Sequence, residues 1–384
     1  MPDFALLDSV SEIPREEWNA LVGDESPFVE WEWLASLEEA GCVGERTGWT
    51  PRPLVVREGG RLIAACPLYV KANSEGEFVF DWGWADAAQR SGITYYPKLL
   101  VGAPFSPVTG ARFLTAKGED RAAWLPRFAR ALAELCEGNE LSSVHVNFLR
   151  DDERDALERA GFLVRAGFQY HWRNRGFASF DDYLASLTSK RRNQAKRERR
   201  ELAEQGVAIE ALSGDALTPE LAREMFRIYL ATISNNPWGR QYLNQRLFTL
   251  LRERWAHRLC FMRARVGDDL VAGTINVQKG AALYGRYWGA LRPMRHLHFN
   301  TCYYAGIEHC IRRGLACFEP GAGGEYKQLR GFDATATYSA HFIADARLRD
   351  AIARFLEAER RKVAGAIDWY AEHSANRDGP VIPD

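Results

Sequence analysis

Residues 283–327 read LYGRYWGALRPMRHLHFNTCYYAGIEHCIRRGLACFEPGAGGEYK, and this stretch sets the fold class. The aromatic run Leu283 to Trp288, bounded by Gly280 and Gly289, has the composition of a half-buried strand. Cys302/Tyr303, Gly306/Ile307 and Cys310/Ile311 then recur at helical spacing. Asn300 suits the N-cap, Arg312 and Arg313 the last turn, and Gly314 follows. Leu315 to Glu319 returns to the sheet, and Gly321, Gly323 and Gly324 lead straight to Glu325, Tyr326 and Lys327. A strand-helix-strand unit thus ends in a flexible loop carrying an acid, a phenol and an amine. Ligands gather at such strand ends, and glycine lets backbone approach a substrate; the alternative is an ordinary turn with a solvated lysine.

Upstream, Arg258 to Val266, a GDD turn, Leu270 to Gln278, a Lys-Gly turn and Ala281 to Trp288 form a meander. Leu54 to Arg57, a Gly-Gly turn, Leu62 to Val70 and an aromatic strand at Phe78 to Trp84 repeat its order, with Trp82-Gly83 opposite Trp288-Gly289. The spacing argues for an internal duplication: two similar α/β halves, each with an antiparallel meander leading into an aromatic strand. Helices are expected at 13–22, 30–40, 121–136, 152–160 and 219–233, a strand at 143–148, and a lid-like loop at Asn235 to Gly239. A long charged helix from Arg347 to His373 is expected to pack its Ile352, Phe355, Leu356 and Val363 on the second half.

The 384 residues suit two domains, divided at 1–170 and 171–384, and 46% hydrophobic with 26% charged residues is the composition of an ordinary globular chain. The formal net charge of -1 means that attraction to phosphate must come from a local patch. The seven cysteines form no CxxC pair and sit mostly in apolar runs, as buried thiols in a reducing compartment do, and no metal site is expected. With an acidic, proline-bearing N-terminus and no apolar run near membrane-spanning length, a cytoplasmic location is expected.

The local patch is SKRRNQAKRERREL, residues 189–202, within a linking helix at about 181–205 that Ser179 or Asp181 starts. Seven cations crowd residues 190–200 around a single glutamate, and Arg192, Lys196 and Arg199 share a face at helical steps. Such a run in a neutral chain favours phosphate, and with no aromatic residues interleaved it does not favour stacking on single strands. A second anion site is plausible at Arg292, Arg295, His296 and His298, ahead of the helix at 301–313. Asp81 and Asp86 flank tryptophans, and a carboxylate among bulky apolar groups tends toward the raised pKa of a general base; an aspartate at a strand end is also a common turn former.

The blocks FVFDWGWAD, YYPKLLVGAPFSPVTG, HWRN, LYGRYWG, HFNTCYYAGIEH and GAGGEYKQLRGFDATATYSAH resemble the FemAB-like peptidoglycan biosynthesis/recognition family of bacterial N-acyltransferases, over nearly the whole chain. The resemblance implies an α/β (α+β) fold of two tandem GNAT-like domains, each a mixed, mostly antiparallel sheet flanked by helices. It implies transfer of an acyl or aminoacyl group to an amine, as Fem enzymes move one from aminoacyl-tRNA to a peptidoglycan precursor. By that similarity Arg192, with Lys190 and Lys196, holds phosphate, and Lys327 sits at the reacting acyl ester. Asp81 or Asp86 takes the amine proton. Trp82, Tyr96, Lys98, Arg286, Tyr287, Trp288, His298, Asn300, Tyr303 and Glu325 are the candidate substrate-binding residues. The donor, aminoacyl-tRNA or acyl-CoA, would come as a co-substrate, with no tightly bound cofactor and no DNA partner. The segment GALRPMRHLHFN lacks the glycine pattern of an acetyl-CoA loop, which argues against acetyl-CoA, and no long helical hairpin for tRNA is evident. The alternative is a noncatalytic recognition protein holding a cell-wall precursor in a cleft.

Overall fold

The structure, a computed structural model, describes residues 4–234 and 239–380. The chain folds as two compact units: Met1–Gly167 with Ala336–Ala364, and Phe168–Thr335 with Gly365–Asp384. Each has the α/β character that the sequence implies, mixed and mostly antiparallel strands flanked by helices.

In the first unit, Phe4–Leu6, Leu54–Glu58, Arg61–Cys66 and Leu114–Thr115 form an antiparallel sheet. A second set pairs Trp49–Pro51 with Leu68–Lys71, Leu68–Lys71 with Lys98–Val101, and Lys98–Val101 in parallel with Ser143–Asn147. Residues 339–343 close that set antiparallel to Ser143–Asn147. The helix Arg121–Gly138, capped by Asp120 on the amides of Ala122 and Ala123, buries Trp124, Leu125, Phe128 and Leu132 in the core.

Two expectations change here. Phe78 to Trp84 is not a strand: Phe78 takes φ 60°, and a helix begins at Trp82 and runs to Arg90. Trp84 and Ala88, four residues apart, bury one helical face beside Tyr95 and Ile343, so the alternation of Trp82 and Trp84 mimicked a strand. The meander likewise breaks after one hairpin. Pro67 interrupts it, and Leu68–Lys71 pairs with other partners, so the correspondence between halves stops at the hairpin.

In the second unit, Val207–Ser213, Leu259–Val266, Asp269–Lys279 and Ala282–Ala290 are consecutive antiparallel neighbours. Cys317–Glu319 joins Ala282–Ala290 in parallel and pairs antiparallel with residues 172–173 on its other side. The crossover between the parallel pair is one helical run from Leu297 to Arg313 with a π-turn at Asn300–Tyr304. Asn300 therefore lies inside the helix rather than at its cap. The basic segment is two helices, Phe180–Ser186 and Ser189–Ala203, because Leu187 and Thr188 adopt extended backbone between them. Ser179 caps the first with a reciprocal Asp182 contact. The helix Ala346–Glu372 does not belong wholly to the second half: Leu348, Ile352 and Leu356 bury against Trp84 and Tyr95 in the first unit, while Tyr370 packs on Phe168 and Tyr170 in the second. Of the expected lid, Asn235 to Trp238 lie outside the described residues.

Candidate functional site

The parallel strands Ala282–Ala290 and Cys317–Glu319 run together only as far as Tyr284 and Glu319. There they part. At Gly285 an added Cβ would stand 3.0 Å from Pro320 Cα, so the strands approach as closely as glycine allows before diverging. One lip continues through Arg286, Tyr287 and Trp288; the other turns into Gly321, Gly323 and Gly324, all at positive φ. The carboxyl ends of adjacent parallel strands make the kind of crevice in which α/β sheets bind ligands.

Lys327 follows this loop in a 3-10 turn and folds back under it. Its Nζ donates to the carbonyls of Gly321 and Gly323, both at 2.5 Å, and more weakly to Ala322 at 3.4 Å. Burial pulls the ammonium down to about 8. Its hydrogen bonds go to these loop carbonyls, while Glu325 is exposed, so the loop rather than the acid aims the amine.

The end of the strand Cys317–Glu319 carries a group that the sequence pattern did not single out. Glu319 ends its strand with Oε2 buried and without a hydrogen-bond partner, 3.8 Å from an equally unpartnered His171 Nε2. Burial, against the opposing charge of Arg173, pushes Glu319 up to about 7, and burial holds His171 down at about 3. The local signal was an acid at the end of the apolar run LACFE, on the same strand face as Cys317.

Above the crevice, His298 lies between the rings of Trp288, 5.0 Å away, and Tyr303, 5.3 Å away. Tyr287 packs edge-on against Tyr229 instead. Asn300 turns to the backbone, donating to Glu198 O and His296 O. The lone acid of the basic run proves to be its anchor. Glu198 is buried and takes Arg330 Nη2 on both oxygens at 2.8 Å, along with the Tyr304 hydroxyl at 2.6 Å. Lys190 and Lys196 are exposed and Arg192 is half-buried, whereas Arg199 already pairs with Glu308 and lies over the Phe180 ring. The second expected anion site is largely neutralised: Arg295 and His296 both reach Glu201.

In the first unit, Asp81, Trp82, Asp86, Tyr96 and Lys98 come together. Trp82, Asp86, Tyr95 and Tyr96 line a cavity of about 600 Å³, with Trp82 exposed beside Phe80. Beneath it Lys98 Nζ reaches Asp81 at 2.5 Å, Glu77 at 3.0 Å and Ser74 at 2.9 Å; Tyr95 donates to Asp81, and Tyr96 bonds Ser74. Burial pushes the Asp81 carboxyl up, but Lys98 and His145 outweigh it and hold the group well below the usual carboxylate range. That reverses the raised value expected from its aromatic neighbours. Glu77, buried in the same cluster, goes the other way, up to about 7. Asp86 is exposed on its helix and pairs with Arg90.

The profile of the FemAB-like family, described as peptidoglycan biosynthesis/recognition, matches residues 9–378. The chain belongs to the FemAB-like family. None of the curated proteins matches it at the sequence level. Among solved structures, the crystal structure of FemX is similar with a TM-score of 0.55 at 12% identity, over 89% of this chain and 98% of that one. The C-terminal domain of a putative lysylphosphatidylglycerol synthetase from Agrobacterium fabrum gives 0.56 at 11% identity, over 90% and 96%. L-PGS from Bacillus licheniformis gives 0.52 at 8%, over 90% and 97%. At such identities the likeness is one of fold.

Within this FemAB-like chain, His171, Cys317 and Glu319 are the described residues whose ligand atoms gather, all within 4.8 Å. The charges of Arg173 and Lys327 act on the same group and oppose a dication there. No described helix is long and apolar enough to cross a membrane.

Proposed function

We propose that this FemAB-like protein is an N-acyltransferase that forms an amide between an activated acyl or aminoacyl donor and an amine, of a peptidoglycan precursor or an amino-acid-like acceptor. The observation that carries the reading is the end of the parallel ladder at Tyr284 and Glu319, where a buried, unpartnered carboxyl oxygen is followed directly by a glycine loop and Lys327. Direct attack by the amine fits better than a covalent enzyme intermediate, because burial pushes the thiols of Cys66, Cys136, Cys260, Cys302, Cys310 and Cys317 upward, away from the thiolate a nucleophile needs.

In this reading one Lys327 N–H turns its hydrogen bond from a loop carbonyl to the oxygen on which negative charge develops, a contribution of about 2 to 4 kcal/mol in a water-excluded site. Exposed Lys190 and Lys196, with Arg192, hold the donor's phosphate, whether that donor is aminoacyl-tRNA or acyl-CoA. The similar Agrobacterium fold, from a putative lysylphosphatidylglycerol synthetase, supports aminoacyl chemistry on this architecture. The recognition reading draws on the three carbonyl contacts of Lys327, which would make it a loop clasp alone. Mass spectrometry of reactions pairing aminoacyl-tRNAs and acyl-CoAs with amine acceptors, a UDP-linked peptide among them, separates the two. New amide supports the transferase; retained ligand with no turnover on any pair refutes it.

A further inference from the structure

We propose that Glu319 takes the proton from the acceptor amine and that His171 positions that amine against it; this deepens the acyltransferase reading and rests on it. Glu319 is the last residue of its strand, and the pairing of Phe318 with Trp172 sets it across from His171 on the neighbouring strand. Oε2 and Nε2 face each other at 3.8 Å, too far for a direct hydrogen bond, and neither has another partner. The His171 side chain is only 7% exposed. Buried polar atoms are nearly always paired, so two unsatisfied ones facing each other call for a partner from outside. Two atoms 3.8 Å apart can share one nitrogen at hydrogen-bond distance from each, and an amine can donate to the carboxylate while exchanging a hydrogen bond with the imidazole. The parallel ladder ends at Glu319 and its partner Tyr284, so an amine held there stands at the carboxyl ends of both strands, where the acyl group would lie.

The charges around Glu319 agree with this role. His171 and Arg173 face it from one neighbouring strand, Tyr284 is its register partner on the other, Cys317 precedes it on its own strand, and the charge of Lys327 reaches His171. Burial outweighs Arg173, and the carboxyl titrates near neutrality, the range in which a general base works best. His171 stays neutral and so does not lock Glu319 into an ion pair. Asp81, by contrast, is fixed by Lys98 at 2.5 Å.

The step balances. The amine lone pair attacks the acyl carbon, forming the C–N bond, and the carbonyl oxygen takes the displaced electron pair. Glu319 removes the proton from the attacking nitrogen. The intermediate then collapses with cleavage of the bond to the donor's oxygen or sulfur, and the leaving group collects a proton, from Glu319 or from water.

The test is the pH profile of amide formation by Glu319→Gln and His171→Asn, with thermal melts as fold controls. The wild type is expected to lose kcat/KM below an apparent pKa near 7. Glu319→Gln is expected to lose that acid limb and roughly 10²- to 10⁴-fold in rate at pH 8. His171→Asn should move the limb without abolishing it, which a purely structural residue would not do. If Glu319→Gln fails to fold, Glu319→Asp should keep the limb at reduced rate. Wild-type rates in a folded Glu319 variant overturn the assignment and leave the transferase reading intact. Failure of the wild type on every donor and acceptor overturns both. Stoichiometric zinc retained by the wild type and lost in His171→Asn would also overturn the proposal, in favour of a cation site.

Discussion

Replacing Glu319 by glutamine should stabilise the protein above neutral pH, a consequence that needs no substrate to test. The carboxyl moves from an ordinary 4.5 to about 7 on folding because burial disfavours its charged form more than Arg173 favours it. A raised carboxyl holds its proton more tightly folded than unfolded. The stability that comes from protonation is therefore complete below about pH 4.5 and is lost as pH rises through about 7. At about 1.4 kcal/mol per tenfold change, the ionised form costs about 3 kcal/mol above that range. Glutamine keeps the shape and never ionises. For a folding unit of roughly 150 to 250 residues, the variant should melt roughly 6 to 12 °C above wild type at pH 8.5, with the gap closing below pH 5. The assay is differential scanning calorimetry across that range. A gap that does not change with pH, or a variant less stable at pH 8.5, would refute the reasoning, since either would mean that the folded protein pairs the carboxylate well enough to prefer it charged.

Three further outcomes are expected. Arg330→Met should cost about 3 to 5 kcal/mol by urea denaturation, because it leaves Glu198 buried and charged without its bidentate partner; a loss under 1 kcal/mol would mean that water reaches the pair. Lys327→Met should lower kcat and kcat/KM by similar factors with substrate affinity kept, and Lys327→Arg should not rescue it, whereas a rise in KM alone would reduce the lysine to a loop clasp. Arg192→Ala with Lys196→Ala should weaken binding of the phosphate-bearing donor and flatten its salt dependence, and an unchanged salt slope would leave the basic helix a solvated face.

Where chemistry and period agreed locally, the sequence was enough. The helix after Asp120, the meander through Ala290 and the glycine loop before Lys327 all stand where their patterns put them. The failures share a cause: the deciding partner was distant in sequence. Trp82 and Trp84 looked like a strand because two-residue alternation is visible locally, while the burial of Trp84 with Ala88, Ile343 and Ile352 is not. Glu198 is locally only the single glutamate of a cationic run, yet Arg330 and Tyr304, both more than a hundred residues away, make it the anchor of that helix. His171 meets Glu319 only through a register between strands, which no local window carries.

The same reasoning explains why the residues that looked most catalytic and the one proposed here exchange places. From sequence, Asp81 among tryptophans and Glu319 at a strand end were both acids in apolar surroundings, and burial alone would raise both. The difference lies in the cation each meets. Lys98 sits 2.5 Å from Asp81 with Tyr95 donating as well, and this holds the aspartate ionised and committed. Glu319 meets a neutral imidazole and the more weakly felt charge of Arg173, so its proton stays exchangeable near neutral pH. Environments that push two carboxyls apart suit them to different work: the paired one stays charged within the first unit's polar cluster, and the unpaired one, at its strand end, is the acid proposed to accept a proton.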